Sequence, residues 1–155
     1  MKGNDQVIAT LNELLADELT AISQYMVHSE MCNNWGYAKL HKAIEAQAID
    51  EMRHAEWLIE RILFLEGMPI VSKLNPMKIG AGAQDMVGND QEAEAGAIRA
   101  YNAGIRLARE VDDQGTADLL VKILKMEEGH VDWNEQQRDQ IAQMGLENYL
   151  SQQLG

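Results

Sequence analysis

The chain has 155 residues, with 25 acidic side chains against 13 basic ones and a formal net charge of −12. That length suits one domain on one core, and so acidic a surface repels phosphate backbones while concentrating cations, which excludes a generic nucleic-acid binder. A single cysteine, Cys32, excludes a disulfide-stapled secreted scaffold. No stretch approaches the roughly 18 apolar residues of a membrane helix and Met1 to Gln6 form no signal-peptide core, so a cytoplasmic protein is expected.

Asn4 or Asp5 caps a first predicted helix, with Ile8, Leu11, Leu15, Ile22 and Met26 on its apolar stripe, that runs to a turn at residues 33–36. A second helix carries Leu40, Ile44, Leu58, Ile62 and Leu65 and stops at Gly67-Met68-Pro69. Residues 67–82 hold both prolines and three glycines and read as one long connection. A third helix spans about Ala83 to Val111, a turn at residues 112–115 leads to a fourth ending near Gly145, and residues 146–154 allow a short fifth. The two short turns force antiparallel hairpins, whereas about 16 extended residues reach about 53 Å, enough to cross helices about 45 Å long. The expectation is an all-α, four-helix bundle over residues 1–155, with a long crossover that sets helix three parallel to helix two, plus the short fifth helix.

The informative residues interrupt the apolar stripes. Glu18 falls between Leu15 and Ile22; helix two reads Leu40, Ile44, Gln47, Glu51, His54, Leu58; helix three reads Val87, Glu94, Ile98, Tyr101, Ile105; helix four reads Leu120, Ile123, Glu127, His130, Ile141. Glu51 follows Glu18 by 33 residues and Glu127 follows Glu94 by 33, and each second glutamate opens Glu-x-x-His: Glu51-Met52-Arg53-His54 and Glu127-Glu128-Gly129-His130. Each pair is centred on a hairpin turn, so all four glutamates fall at one height, about 24 Å from the turns. Tyr25 and Tyr101 stand seven residues after the single glutamates, on nearly the same face. Glu-x-x-His puts an oxygen and an imidazole on one helical face within reach of one metal, a donor set that suits iron, manganese or zinc. Four carboxylates match the charge of two divalent cations. Surface acids on a misread register are the bland alternative, which the repeated spacing disfavours.

The chain resembles bacterioferritins over nearly its whole length, through residues 14–19 (LLADEL), 50–55 (DEMRHA), 59–67 (IERILFLEG), 127–133 (EEGHVDW) and 144–150 (MGLENYL). The resemblance implies a cytoplasmic, hollow 24-subunit shell, built from two-fold dimers, that oxidises Fe(II) with dioxygen or hydrogen peroxide and stores ferric mineral. It implies Glu18, Glu51, His54, Glu94, Glu127 and His130 as ligands of an intrasubunit di-iron centre, with Glu51 and Glu127 bridging. It implies Met52 as axial ligand of a b-type haem shared by two subunits, which relays electrons from a bacterioferritin-associated ferredoxin. Met52 lies about 100° round the helix from Glu51, on an outer stripe with Ile49, Glu56 and Ile59, faced by Leu19, Ile22 and Met26. Tyr25 is a candidate electron or hydrogen-bond donor, Tyr101 and Trp133 read as packing, and His28 and His41 read as surface residues. Asp50 matches an inner iron site of the family, but Ala46 stands where that site's histidine is expected. The alternative function is a di-metal peroxidase of rubrerythrin or manganese-catalase type without storage.

Overall fold

In the computed structural model, which describes residues 1–155, Asn4 starts the first helix by accepting from the amides of Gln6 and Val7 at 2.8 and 3.2 Å. The helices are α1 (Asp5–Asn34), α2 (Ala38–Phe64), α3 (Ala83–Glu110), α4 (Gln114–Met144) and α5 (Leu146–Ser151). Three of them end alike, with a left-handed residue whose successor donates back into the last turn. Gly36 (φ 84), Glu66 (φ 62) and Asp112 (φ 61) are the left-handed residues, followed by Tyr37 N→Cys32 O, Gly67 N→Ile62 O and Asp113 N→Ala108 O at 2.8–2.9 Å. At the end of α2 the sequence suggests glycine for its free backbone, yet Glu66 takes the left-handed turn. Gly67 answers a packing need instead: a Cβ there would lie 2.7 Å from Ile8 Cγ2.

The 65–82 connection climbs α1 as a strap. Asn12 bonds Met68 O and the Ile70 amide; further up, the amides of Asn75, Lys78 and Gly80 donate to Thr20 Oγ1, Gln24 Oε1 and His28 Nε2 at 2.8, 3.1 and 2.9 Å. Thr20, Gln24 and His28 are four residues apart, so one face of α1 supplies successive acceptors. The strap reaches the far end of the bundle, where α3 starts and descends antiparallel to α1, hence parallel to α2. His28 is therefore not a surface residue: it is 0% exposed, because the strap covers it and Asp90 of α3 bonds its Nδ1 at 2.8 Å. His41 is half-buried rather than free, donating from Nδ1 to Ser29 O at 3.0 Å.

Helix one also presents a wider buried arc than the expected stripe. Val7, Leu11, Leu14, Leu15, Tyr25 and Cys32 are buried, while Met26 is exposed and Ile8 and Ile22 are half-buried. The reason is that α1 packs against α2, α3 and the strap together. Ile98 of α3 is likewise only half-buried. Two apolar clusters form the core, one around Leu11, Leu58, Ile62, Ile105 and Leu120, the other around Cys32, Leu40, Ile44, Met86, Ile141 and Tyr149. No helix is long and apolar enough to cross a membrane.

Candidate metal centre

Between the two clusters lies a polar layer. Glu18, Glu51, Glu94 and Glu127 are at most 2% exposed, His54 is fully buried and His130 nearly so. Glu51 of α2 faces His130 of α4, and the antiparallel α1 and α3 set Tyr25 opposite Glu94 and Tyr101 opposite Glu18, since a step of seven up α1 is matched by seven down α3. The donors fall into two groups, each able to converge on one ion: Glu18, Glu51, His54 and Glu127, and Glu51, Glu94, Glu127 and His130. Glu51 and Glu127 belong to both.

The imidazoles turn the same atom inward. His54 Nδ1 lies 2.8 Å from Glu127 Oε1, 3.2 Å from Glu51 Oε2 and 3.6 Å from Glu18 Oε2. His130 Nδ1 lies 2.9 Å from Glu51 Oε1 and 3.3 Å from Glu94 Oε1. The outer nitrogens have different partners: His130 Nε2 donates to Asp50 Oδ2 at 2.9 Å, whereas His54 Nε2 meets the weak acceptor Met126 Sδ at 3.3 Å. A carboxylate behind a ligating histidine fixes its tautomer and raises its basicity. Asp50 in this role and Met126 lie off the ligand stripes, so the spacing of the sequence gives no sign of either. Tyr101, expected as packing, also donates its hydroxyl to Glu18 Oε1, the mirror of the Tyr25–Glu94 bond.

The layer concentrates ionisable groups where burial opposes charge. Burial, then repulsion from Glu51, pushes Glu18 well above the usual carboxylate range, and burial with the Glu94 contact pushes Glu127 up too. Burial opposes charge on Glu51 as well, but close contacts with Glu18, His130 and His54 outweigh it and hold that carboxyl low. Burial would lower His130; its close contacts with the Glu51 and Glu94 carboxyls raise it to about 11. Burial, reinforced by the carboxylates, keeps Tyr25 and Tyr101 protonated. Protons thus compete for the atoms a cation would use. Glu18 Oε2 and Glu94 Oε2 have no hydrogen-bond partner, while Glu51 Oε1, Glu127 Oε1 and His130 Nδ1 have only the close imidazole–carboxylate contacts above, which lack hydrogen-bond geometry; buried polar atoms left so are costly unless a ligand takes them. Oxygen and imidazole donors without thiolate fit a pair of iron, manganese or zinc ions.

A cleft of about 350 Å3 leads to the layer between α1, α3 and the strap, with Asn75, Lys78 and Glu92 toward its outer side. On the opposite face of α2, Met52 is 41% exposed beside exposed Ile49, and Met26 is exposed on α1. Trp133 packs against the second apolar cluster.

Residues 8–144 match the family described as a ferritin-like domain. A bacterioferritin of Mycobacterium bovis is 39% identical over 152 residues, covering 98% of this chain and 96% of that protein. A bacterioferritin of Streptomyces coelicolor is 41% identical over 151 residues, covering 97% and 90%. A bacterial ferritin of a Synechocystis species is 40% identical over 155 residues, covering 99% of both chains.

Proposed function

The chain belongs to the bacterioferritin family of ferritin-like proteins, and from that membership we propose that it stores iron, acting as a ferroxidase within a cytoplasmic shell of 24 copies. The observation that carries the reading is the pair of buried donor groups sharing Glu51 and Glu127. Fe(II) is the substrate: Glu18 and His54 hold one ion, Glu94 and His130 the other, and Glu51 and Glu127 both. Two Fe(II) ions yield two electrons, which with two protons reduce dioxygen to hydrogen peroxide, or hydrogen peroxide to two waters. The protein fixes the separation of the ions, keeps the layer dry and turns both Nδ1 atoms inward, with Asp50 orienting His130. Tyr25, hydrogen-bonded to Glu94, is a phenol from which a further electron can come.

Met52 supports a haem site: an exposed thioether one helical turn from exposed Ile49 suits a porphyrin between two copies. Met52 and Met52 of a second copy would hold a b-type haem there, and the bound haem would supply a one-electron relay for releasing stored iron, with a small ferredoxin as electron source.

Glu18→Ala and His130→Ala are expected to abolish fast Fe(II) oxidation while keeping the helical circular dichroism. Parental rates in both would overturn the ligand assignment. Light scattering tests the shell, and a small oligomer that consumes peroxide would favour the rubrerythrin-like alternative. Met52→Leu should remove the haem absorption bands and spare iron oxidation; unchanged bands would defeat the haem assignment.

A further inference from the structure

Glu18 and Glu94 are the two carboxylates that serve only one donor group each. In both, Oε1 accepts from a buried phenol, Tyr101 for Glu18 and Tyr25 for Glu94, and Oε2 has no hydrogen-bond partner. The shared carboxylates of Glu51 and Glu127 have no tyrosine. A glutamate has three rotatable side-chain bonds, so an unrestrained outer carboxylate would sample orientations in which neither oxygen faces the centre. A bond to Oε1 from a phenol locked on a neighbouring helix removes that freedom. Glu18 and Tyr101 come from different helices, as do Glu94 and Tyr25, so each restraint also ties α1 to α3 at the height of the layer.

Packing alone does not account for Tyr101. Its ring is as buried as that of Tyr25, each 1% exposed, and an apolar side chain of the same shape would fill the space without placing a hydroxyl in a dry interior. The hydroxyl is tolerated because it meets Glu18.

We propose that Tyr101 is a positioning residue for the metal position built by Glu18, Glu51, His54 and Glu127, as Tyr25 is for the position built by Glu51, Glu94, Glu127 and His130. The inference rests on the two-ion reading above. It adds that the two positions are separately restrained, so that each can be loosened without the other.

The experiment is a Co(II) titration of the metal-free protein, followed by calorimetry and by the visible bands of bound cobalt. The parent should take two ions per subunit. Tyr101→Phe should weaken one of the two by roughly 10–100-fold and alter the bands of that ion alone, the usual loss when an outer partner of a ligand is removed. Tyr25→Phe should do the same to the other ion, and the double variant to both. Tyr149→Phe is the control: Tyr149 is fully buried and donates to Gln137 Oε1 at 2.8 Å, away from the layer, so its loss should leave the titration unchanged. Should Tyr101→Phe fail to fold, Tyr25→Phe with Zn(II) replaces it: the near-ultraviolet tyrosine band should shift as zinc fills the Glu18 position. A Tyr101→Phe titration and spectrum that overlay the parent's, or a silent tyrosine band under zinc, would overturn the inference and leave the two-ion reading standing. A folded parent that takes no cobalt would instead overturn that reading.

Discussion

His28→Leu removes one member of a buried polar network that lies a helical turn from the metal layer. His28 Nε2 accepts the Gly80 amide, so the ring proton sits on Nδ1 and is donated to Asp90 Oδ1. Asp90 is 2% exposed and its only other side-chain partner is Gln24 Nε2, at 2.8 Å. Leucine fills the space but leaves the Gly80 N–H without an acceptor and the Asp90 carboxyl short of a donor. At about 1–3 kcal/mol for each buried group so stranded, the loss is about 2–6 kcal/mol, set against about 5–15 kcal/mol for a whole domain. The strap should also loosen locally, because Gly80 regains its hydrogen bond by peeling off α1 into water. Denaturant melts should record the global loss, and amide exchange at Asn75, Lys78 and Gly80 the local one. Asp90→Asn, whose side-chain oxygen still accepts both donors, should cost far less. A His28→Leu melt within about 1 kcal/mol of the parent, with those three amides as slow as before, would refute the reasoning.

Four further outcomes follow from other parts of the molecule. In the metal-free protein burial and the neighbouring carboxyls raise Glu18 and Glu127, and contact with Glu51 and Glu94 raises His130 to about 11, so the layer holds protons more tightly than free side chains would. Cation binding should therefore release protons and weaken as pH falls; calorimetry in buffers of different ionisation heat checks this, and an affinity flat from about pH 5 to 8 would refute it. Asp113 caps α4 through the Thr116 amide and accepts from Arg61 at 2.9 Å; burial acts against its charge, but these bonds lower its carboxyl. Its contribution is thus present above the unfolded carboxyl value and lost as pH falls through the lower folded one, and Asp113→Ala should cost about 1–2 kcal/mol in a thermal melt at neutral pH. Gly80→Ala should destabilise strongly, since a Cβ there would lie 2.5 Å from the Met86 backbone nitrogen, whereas Gly129→Ala, in open space mid-helix, should gain about 1 kcal/mol; melts of the pair in the reverse order would refute the packing.

The fold was legible because its punctuation is local. Asn4, Gly36, Gly67 and the run of residues 112–115 mark ends that depend only on neighbouring residues, and the length of the strap left one direction for α3. The inward glutamates were legible for a related reason: equal distance from a hairpin turn puts two residues at one height whatever else the helices do. What stayed hidden depends on contacts between segments that no spacing encodes. His28 looks exposed on its own helix and is buried only because residues 78–80 pass over it. Asp50 lies beside Glu51 but off the ligand stripe, and becomes relevant only once α4 brings His130 to it. For Tyr101 a signal existed, its offset of 76 residues from Tyr25 being the offset that relates the two ligand sets. A buried hydroxyl seven residues past an inward acid already needs an acceptor.

The placement of the polar layer explains how the fold tolerates it. Four acids and two imidazoles replace apolar side chains at the middle of the bundle, where burial opposes every charge. The apolar cluster toward the start of α1 joins it to the ends of α2 and α3 and the start of α4, and the other closes the turn between α1 and α2 with the start of α3, the end of α4 and α5. Each holds all the helices that meet at its level, so the helix crossings are set above and below the acids rather than by them. The acids therefore need no mutual attraction to stay in place. A cation then meets oxygens and nitrogens already positioned, and its binding free energy goes into displacing protons rather than ordering the chain. The same separation lets the outer carboxylates carry their own restraints, since the helices that a bond such as Tyr101 to Glu18 joins are already set by the clusters above and below.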